Sequence, residues 1–108
     1  MSYDVSLVID AGGQEPAIIY GLDENYTYNC SGMLAAAIGY TLGELDGWPA
    51  TEVAEALTRA IEHMTLNPDK YTAMNPDNGW GDSVGWLKFI TRIRDACLEA
   101  PKAKLRVS

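Results

Sequence analysis

The sequence predicts an α+β fold: a small antiparallel sheet of about three strands, in the chain order β-β-α-α-α-β, covered by helices on one face. Three observations support this prediction. Apolar and polar residues alternate near both ends, apolar residues recur at helical spacing between them, and the two end segments carry opposite outer charges. The chain has 108 residues, of which 47% are hydrophobic, so we expect a single globular domain over residues 1–108.

The N-terminal segment predicts a β-hairpin. Apolar residues alternate with polar ones over Tyr3–Ile9, with Val8 as the exception, which is typical of a half-buried strand. The stretch 11–16 contains two glycines and a proline and therefore predicts a turn. Residues Ala17–Tyr20 predict a short second strand. Because the link between the two strands is short, antiparallel pairing is expected.

The first helix is predicted to begin near Gly32. Either Asn29 or Ser31 is suited to cap it, and Gly39 is suited to end it in the left-handed conformation. Its body is apolar nearly all round, so we expect it to be buried on most sides. Thr41–Leu45 then predicts one further helical turn.

A long amphipathic helix follows. Pro49 suits its first turn, and Pro68 disfavours helical geometry in the residue before it, so the helix should stop by Asn67. A separate short helix is predicted over Pro68–Met74, with Asn67 as its cap.

The last helix should begin at Asp82 or Ser83, either of which is a suitable cap, and run to about Glu99. Its expected inner face is Trp86, Ile90, Ile93 and Cys97. We therefore interpret Trp86 as a core residue. Residues 102–107 alternate again and predict a third strand, basic on its outer side, which should lie antiparallel to the acidic first strand.

Charge and cysteine usage limit the function classes. The formal charge is −7, and ten acidic residues but one basic residue lie in residues 1–62. Direct nucleic-acid binding is disfavoured, because phosphate contacts need a basic face. The chain has neither an apolar run of membrane-spanning length nor the pattern of a signal peptide, so we expect a cytoplasmic protein without a membrane partner. Cys30 and Cys97 are then expected to be reduced and buried.

Two clusters of asparagine and aromatic residues are the candidate functional feature. Each stands directly before a predicted helix, where loop residues rich in amides and rings suit the presentation of hydrogen-bond groups. The candidate binding residues are Asn25, Tyr26, Tyr28, Asn29, Asn75, Asn78, Trp80 and Asp82. Two alternatives stay open. The asparagine and aspartate side chains either bind a partner or cap their own helices. The loop tryptophans, Trp48 and Trp80, either bind a partner or lock the loops by packing.

The sequence contains no recognisable catalytic or metal-binding pattern. His63 is the sole histidine, and no nucleophile or carboxylate is marked near it, so we interpret it as a partly exposed helix residue. Asp77, Asn78 and Asp82 lack the ligand spacing of a calcium loop. We therefore expect no catalytic residues, metal site or cofactor. An enzyme would need Asp10, Asp77, Asp82 or His63 to converge in a cleft.

Four segments resemble a family of short, uncharacterised proteins of actinobacteria and their phages. The pattern is Asn-Tyr-Thr-x-Asn followed by Asn-Pro-x-Asn-Gly-Trp-Gly. In this chain the segments are Tyr3–Val5, Asn25–Asn29, Met74–Gly81 and Ala103–Ser108. The resemblance spans nearly the whole chain. No activity is assigned to the family, so the resemblance implies no catalytic residues; it implies a cytoplasmic accessory protein that a phage makes inside its host.

The leading hypothesis is a non-catalytic protein-binding module that uses the two clusters to dock on a host or phage protein. The alternative is a small-molecule or nucleotide-binding protein that sequesters its ligand, which the acidic charge makes less favourable. A sheet with a free edge could also pair with a second copy, so a homodimer is a further expectation.

Overall fold

The computed structural model describes residues 2–9, 17–27, 30–77, 79 and 81–108. The elements are β1 (Ser2–Ile9), β2 (Ala17–Thr27), α1 (Ser31–Ile38), a 3₁₀ turn (Leu42–Leu45), α2 (Ala50–Leu66), α3 (Pro68–Thr72), α4 (Ser83–Glu99) and β3 (Lys104–Val107). The α+β class with a small antiparallel sheet is confirmed. None of the helices in these ranges combines the length and apolar character that crossing a bilayer would require.

The sheet has the order β2-β1-β3, and both pairings are antiparallel. Val5 and Leu7 of β1 and Leu105 of β3 are buried, whereas Lys104 and Arg106 are exposed, so one face of β3 and of its neighbour meets the core. The two ends of the chain therefore lie side by side, as predicted.

The basic side chains of β3 do not lie opposite acidic side chains of β1, although opposed charges were the reason for predicting this pairing. Arg106 lies opposite Ser6, and Lys104 lies opposite Val8. Asp4 exchanges backbone hydrogen bonds with Ser108 instead, at 2.8 and 2.9 Å. Backbone pairing and the shared buried face hold β3 against β1, rather than ion pairs between opposed side chains.

Strand β2 is longer than predicted. It runs past Tyr20 to Thr27, and its final residues pair with the start of β1, Asn25 with Asp4 and Tyr26 with Tyr3. The prediction that Asn25 and Tyr26 lie in a loop is therefore wrong. Register shifts opposite Asp4/Val5 and Leu7/Val8 let the strand continue past Gly21, and tyrosine and threonine are favoured in strands.

The outer edge of β3 is covered by the segment before α2. Leu105 accepts a backbone hydrogen bond from Gly47 and donates one to Trp48, and the Asp46 carboxylate accepts the amide of Val107 at 2.8 Å. Trp48 is half-buried against the core, and its ring meets that of Tyr40 edge-on at 5.1 Å. Trp48 therefore locks this segment, and the β3 edge is not open for pairing with a second copy.

One predicted cap is wrong, a second lacks its side-chain hydrogen bond, and two predicted helix ends are confirmed. Cys30, rather than Asn29 or Ser31, holds the N-cap position of α1, and it makes no side-chain cap hydrogen bond. Asn67 holds the N-cap position of α3 as predicted, but its side-chain amide donates back to the His63 carbonyl at 2.9 Å instead of capping α3. Gly39 ends α1 with φ 84°, and α4 ends at Glu99, both as predicted.

The core lies between the sheet and helices α2 and α4. The inner face of α4 is buried in this core through Trp86, Phe89, Ile90 and Ile93. This confirms the interpretation of Trp86 as a core residue. Cys30 and Cys97 are both buried and free, in agreement with the expectation for a reduced protein.

Candidate functional site

The connectors that lead into α1 and α4 meet in space. The thiol of Cys30, at the start of α1, donates to the backbone carbonyl of Asp82, which precedes α4, at 3.8 Å. A side-chain carbon placed on Gly32 would lie 3.8 Å from the terminal methyl of Met74. The first turn of α1 therefore contacts both ends of segment 74–82. We call the exposed surface of this segment and of the first turn of α1 the connector surface.

Asn75 and Asp82 are helix caps. The Asp82 carboxylate accepts the amide of Gly85 at 2.6 Å, and the Asn75 side-chain oxygen accepts the amide of Ser83 at 2.8 Å. These bonds satisfy two backbone amides that have no partner within the helix. The Asp82 cap was predicted from its position before the helix. Asn75 lies eight residues from the Ser83 amide that it accepts, so no local capping pattern predicts this bond. Both side chains tie segment 74–82 to α4.

Two glycines shape the same segment. Gly79 and Gly81 have φ angles of 74° and 90°, in the left-handed region that residues with a Cβ rarely adopt. This explains why glycine stands on both sides of Trp80 in the sequence. Trp80 and Asn78 lie outside the described residues, as do Tyr28 and Asn29. Asn25 and Tyr26 belong to the end of β2.

Acidic groups mark the connector surface. Asp77 and Asp82 are exposed, and Met74 is 37% exposed beside them. Burial raises the pKa of the Cys30 thiol, and the nearby Asp82 carboxylate raises it further. The thiol therefore stays protonated at neutral pH, as its role as a hydrogen-bond donor requires. The surface offers hydrogen-bond acceptors and negative charge, and it has no activated nucleophile at Cys30.

His63 and Tyr71 form a pair that sequence reasoning missed. The Nδ1 atom of His63 and the hydroxyl of Tyr71 are hydrogen-bonded, and their rings meet edge-on with centroids 5.6 Å apart. Burial raises the pKa of Tyr71, so its phenol stays protonated. The pair joins the end of α2 to α3 after the chain turns at Pro68. Helical periodicity does not predict this contact, because the two residues are eight positions apart and lie on different helices.

A second concave feature lies between α2 and the end of α4. This α2–α4 groove has a volume of about 410 Å³ and is lined by Thr51, Ala54, Glu55, Thr58, Arg59, Glu62, Cys97, Leu98 and Pro101. Burial raises the pKa of Cys97 to about 11, so its thiol is also protonated at neutral pH. The charged residues that line the groove are two carboxylates and one guanidinium, and its floor is apolar.

Within the described ranges, no three histidine, cysteine, aspartate or glutamate side chains are placed to hold a metal ion. No protein-family model, curated protein or solved structure shows significant similarity to the chain.

Proposed function

We propose that the chain is a small, acidic, non-catalytic protein-binding module whose working face is the connector surface. One observation carries the proposal: the thiol of Cys30 lies 3.8 Å from the carbonyl oxygen of Asp82, so the start of α1 is in contact with the segment that precedes α4. A surface that includes residues from both elements is larger than either would offer alone, and a larger area favours protein binding.

Preorganisation supports the same proposal. Asn75 and Asp82 fix the segment to α4, and the left-handed conformations of Gly79 and Gly81 restrict its path. A surface that is held in shape before it binds loses less conformational entropy when a partner docks. The caps are therefore compatible with binding, because they hold the described residues of segment 74–82 in place.

The chemistry of the described side chains favours binding over catalysis. The pKa of Cys30, Cys97 and Tyr71 is raised in each case by burial, which weakens each as a nucleophile or base at neutral pH. His63 is bound to the Tyr71 hydroxyl, so the convergence of His63 with Asp77 or Asp82 that an enzyme would need has no support in the hydrogen bonds of this histidine.

The partner we propose is a host or phage protein with a basic or neutral docking face. Asp77 and Asp82 are exposed on the connector surface, and the chain carries a formal charge of −7, so a basic partner is favoured over nucleic acid. The family resemblance adds the rest of this proposal: an accessory protein that a phage makes and that acts in the host cytoplasm.

Affinity capture from an actinobacterial lysate tests the proposal. We expect the wild-type chain to retain a discrete partner. Trp80→Ala and Asp77→Lys should each reduce its recovery about tenfold or more, as for a central aromatic or charged contact. Tyr40→Ala is the matched control, because Tyr40 is an exposed aromatic outside the connector surface. Circular dichroism should show that all variants are folded. Equal capture by wild type and the Trp80 variant would refute the proposed site.

Nucleotide sequestration is the weaker proposal. The volume of the α2–α4 groove suits a small ligand, but Glu55 and Glu62 would repel a phosphate and leave Arg59 to bind it. A ligand that binds the native state alone raises the melting temperature. We expect no such shift across a panel of nucleotides and cyclic dinucleotides, and a concentration-dependent shift would favour sequestration over protein binding.

A further inference from the structure

Helix α4 carries an exposed stripe with a seven-residue repeat. Val84, Thr91 and Leu98 stand seven residues apart, and Lys88 and Asp95 are separated by the same interval. Val84 and Leu98 are 61% and 62% exposed, although both are large apolar side chains. The opposite face of the helix is buried in the core of the chain, so the stripe points outward.

The middle of the stripe is less polar than its sequence indicates. The hydroxyl of Thr91 donates to the carbonyl of Leu87 at 2.6 Å, one turn earlier on the same helix. Its hydrogen-bonding capacity is thereby partly used within α4. Residues that recur every seven positions form a continuous seam on a helix, and such a seam suits packing against another helix.

The stripe is complementary to itself in the antiparallel direction. If two copies of α4 cross with a two-fold axis at Thr91, Val84 of each copy lies beside Leu98 of the other. Lys88 of each copy then lies opposite Asp95 of the other, which gives two pairs of opposite charge. A two-fold interface requires this property, because the same surface must serve both partners.

The α2–α4 groove completes the fit. It lies beside Leu98, and Ala54, Cys97 and Pro101 contribute to its lining. In the antiparallel arrangement Val84 of the second copy reaches this end of α4 and enters the groove. The groove, the apolar ends and the charges all select the same occupant.

We propose that a second copy of this chain docks antiparallel along α4, with its Val84 in the α2–α4 groove and its Lys88 paired with Asp95. The stripe covers 15 of the 17 residues of α4, or about 21 Å of helix, so the contact is at the small end for a specific interface. The dimer is therefore weak and depends on concentration. It does not rest on the proposed partner binding.

Sedimentation equilibrium over a concentration series tests the dimer. The 11.8 kDa monomer should convert to dimer as concentration rises. Leu98→Glu should weaken the dimer about tenfold or more, because it places a carboxylate in the apolar contact. Leu66→Glu is the matched control, since Leu66 is 80% exposed and belongs to α2 rather than to α4. A chain that stays monomeric at every concentration, or a dimer indifferent to Leu98→Glu, would overturn the proposal and leave the stripe to a different partner.

A charge exchange tests the orientation. Lys88→Asp and Asp95→Lys should each weaken the dimer about fivefold, because each creates two contacts between like charges. The double variant restores opposite charges and should recover the wild-type dissociation constant to within about twofold. Lys102→Asp, which makes the same charge change on an exposed residue outside α4, should have little effect. Failure of the double variant to recover would exclude the antiparallel arrangement, whereas Trp80→Ala should leave the dimer unchanged.

Discussion

The starts of α1 and α4 touch each other, yet they are held in place by different means. Asp82 and Asn75 give α4 two side-chain caps, whereas Cys30 gives α1 none. Helix α1 compensates by burial, since Met33 and Leu34 in its first turn are almost wholly inaccessible. The comparison shows that a short apolar helix can be positioned by packing, while an amphipathic helix with one exposed side gains from defined polar ends.

The difference has a functional consequence. Because α1 is fixed through its core residues, its N-terminal turn can contribute to the connector surface without using a polar side chain as a cap. At α4 the polar side chains are used as caps, and the glycines on either side of Trp80 set the path of the chain. Three experiments test how packing, capping and a buried thiol contribute to the stability of the chain.

Truncating a buried side chain of α1 should lower the stability of the chain more than the other two changes. Leu34→Ala leaves a cavity in a position that is completely buried, and we expect it to lower the free energy of unfolding by about 3 kcal/mol. Chemical denaturation monitored by circular dichroism measures the change. Leu66→Ala, a truncation of a side chain that is 80% exposed, is the control and should change stability little. A small effect of Leu34→Ala would show that α1 does not depend on packing.

Removing the cap of α4 should have a smaller effect. Asp82→Ala deletes the acceptor for the Gly85 amide and should lower stability by about 1 kcal/mol. Asp82→Asn keeps an acceptor of similar capping strength and should retain most of that stability. The same denaturation assay distinguishes the two variants. If both variants lose equally, the negative charge rather than the hydrogen bond stabilises the start of α4.

Raising the pH should have the smallest effect near neutrality. Burial raises the pKa of Cys97 from 9.0 to about 11, so the native state favours the protonated thiol. This stability is complete well below pH 9, it begins to fall as the pH approaches 9, and most of it is lost between pH 9 and pH 11. From pH 7 to pH 9 we expect a decrease of about 0.4 kcal/mol from this group. Cys97→Ala should remove this component from the pH profile, and a profile unchanged by the substitution would contradict the assignment.

The sequence was most informative where structure depends on local patterns. The inner face of α4 follows from the spacing of Trp86, Ile90, Ile93 and Cys97, and all four are buried. Gly39 and Asp82 act at helix ends as their residue types favour. Of the candidate site, the sequence located the segment 74–82, but it did not show whether its polar side chains are free to bind. Asn75 is committed to Ser83, a bond that no local spacing rule describes.

The length of β2 and the cover of the β3 edge show where local patterns fail. The strand extends to Thr27 because β1 supplies partners for Asn25 and Tyr26, and this pairing depends on register shifts opposite the middle of β1. Segment 46–50 covers β3 through hydrogen bonds that Asp46, Gly47 and Trp48 form with it. These residues meet β3 because helices α2 to α4 return the chain to the same side of the molecule. Neither the length of β2 nor the covering of the β3 edge can be predicted from the residues of β2 or of segment 46–50 alone.

Local sequence patterns predicted the helices, their buried faces, the antiparallel strands near the two ends and the acidic character of the chain. These properties depend on the period of apolar residues, on backbone preferences and on composition. The folded structure was needed to show that the start of α1 meets the segment before α4, that His63 is hydrogen-bonded to Tyr71, and which polar groups serve as caps. Each of these contacts joins residues from different elements, so its formation depends on how those elements pack together.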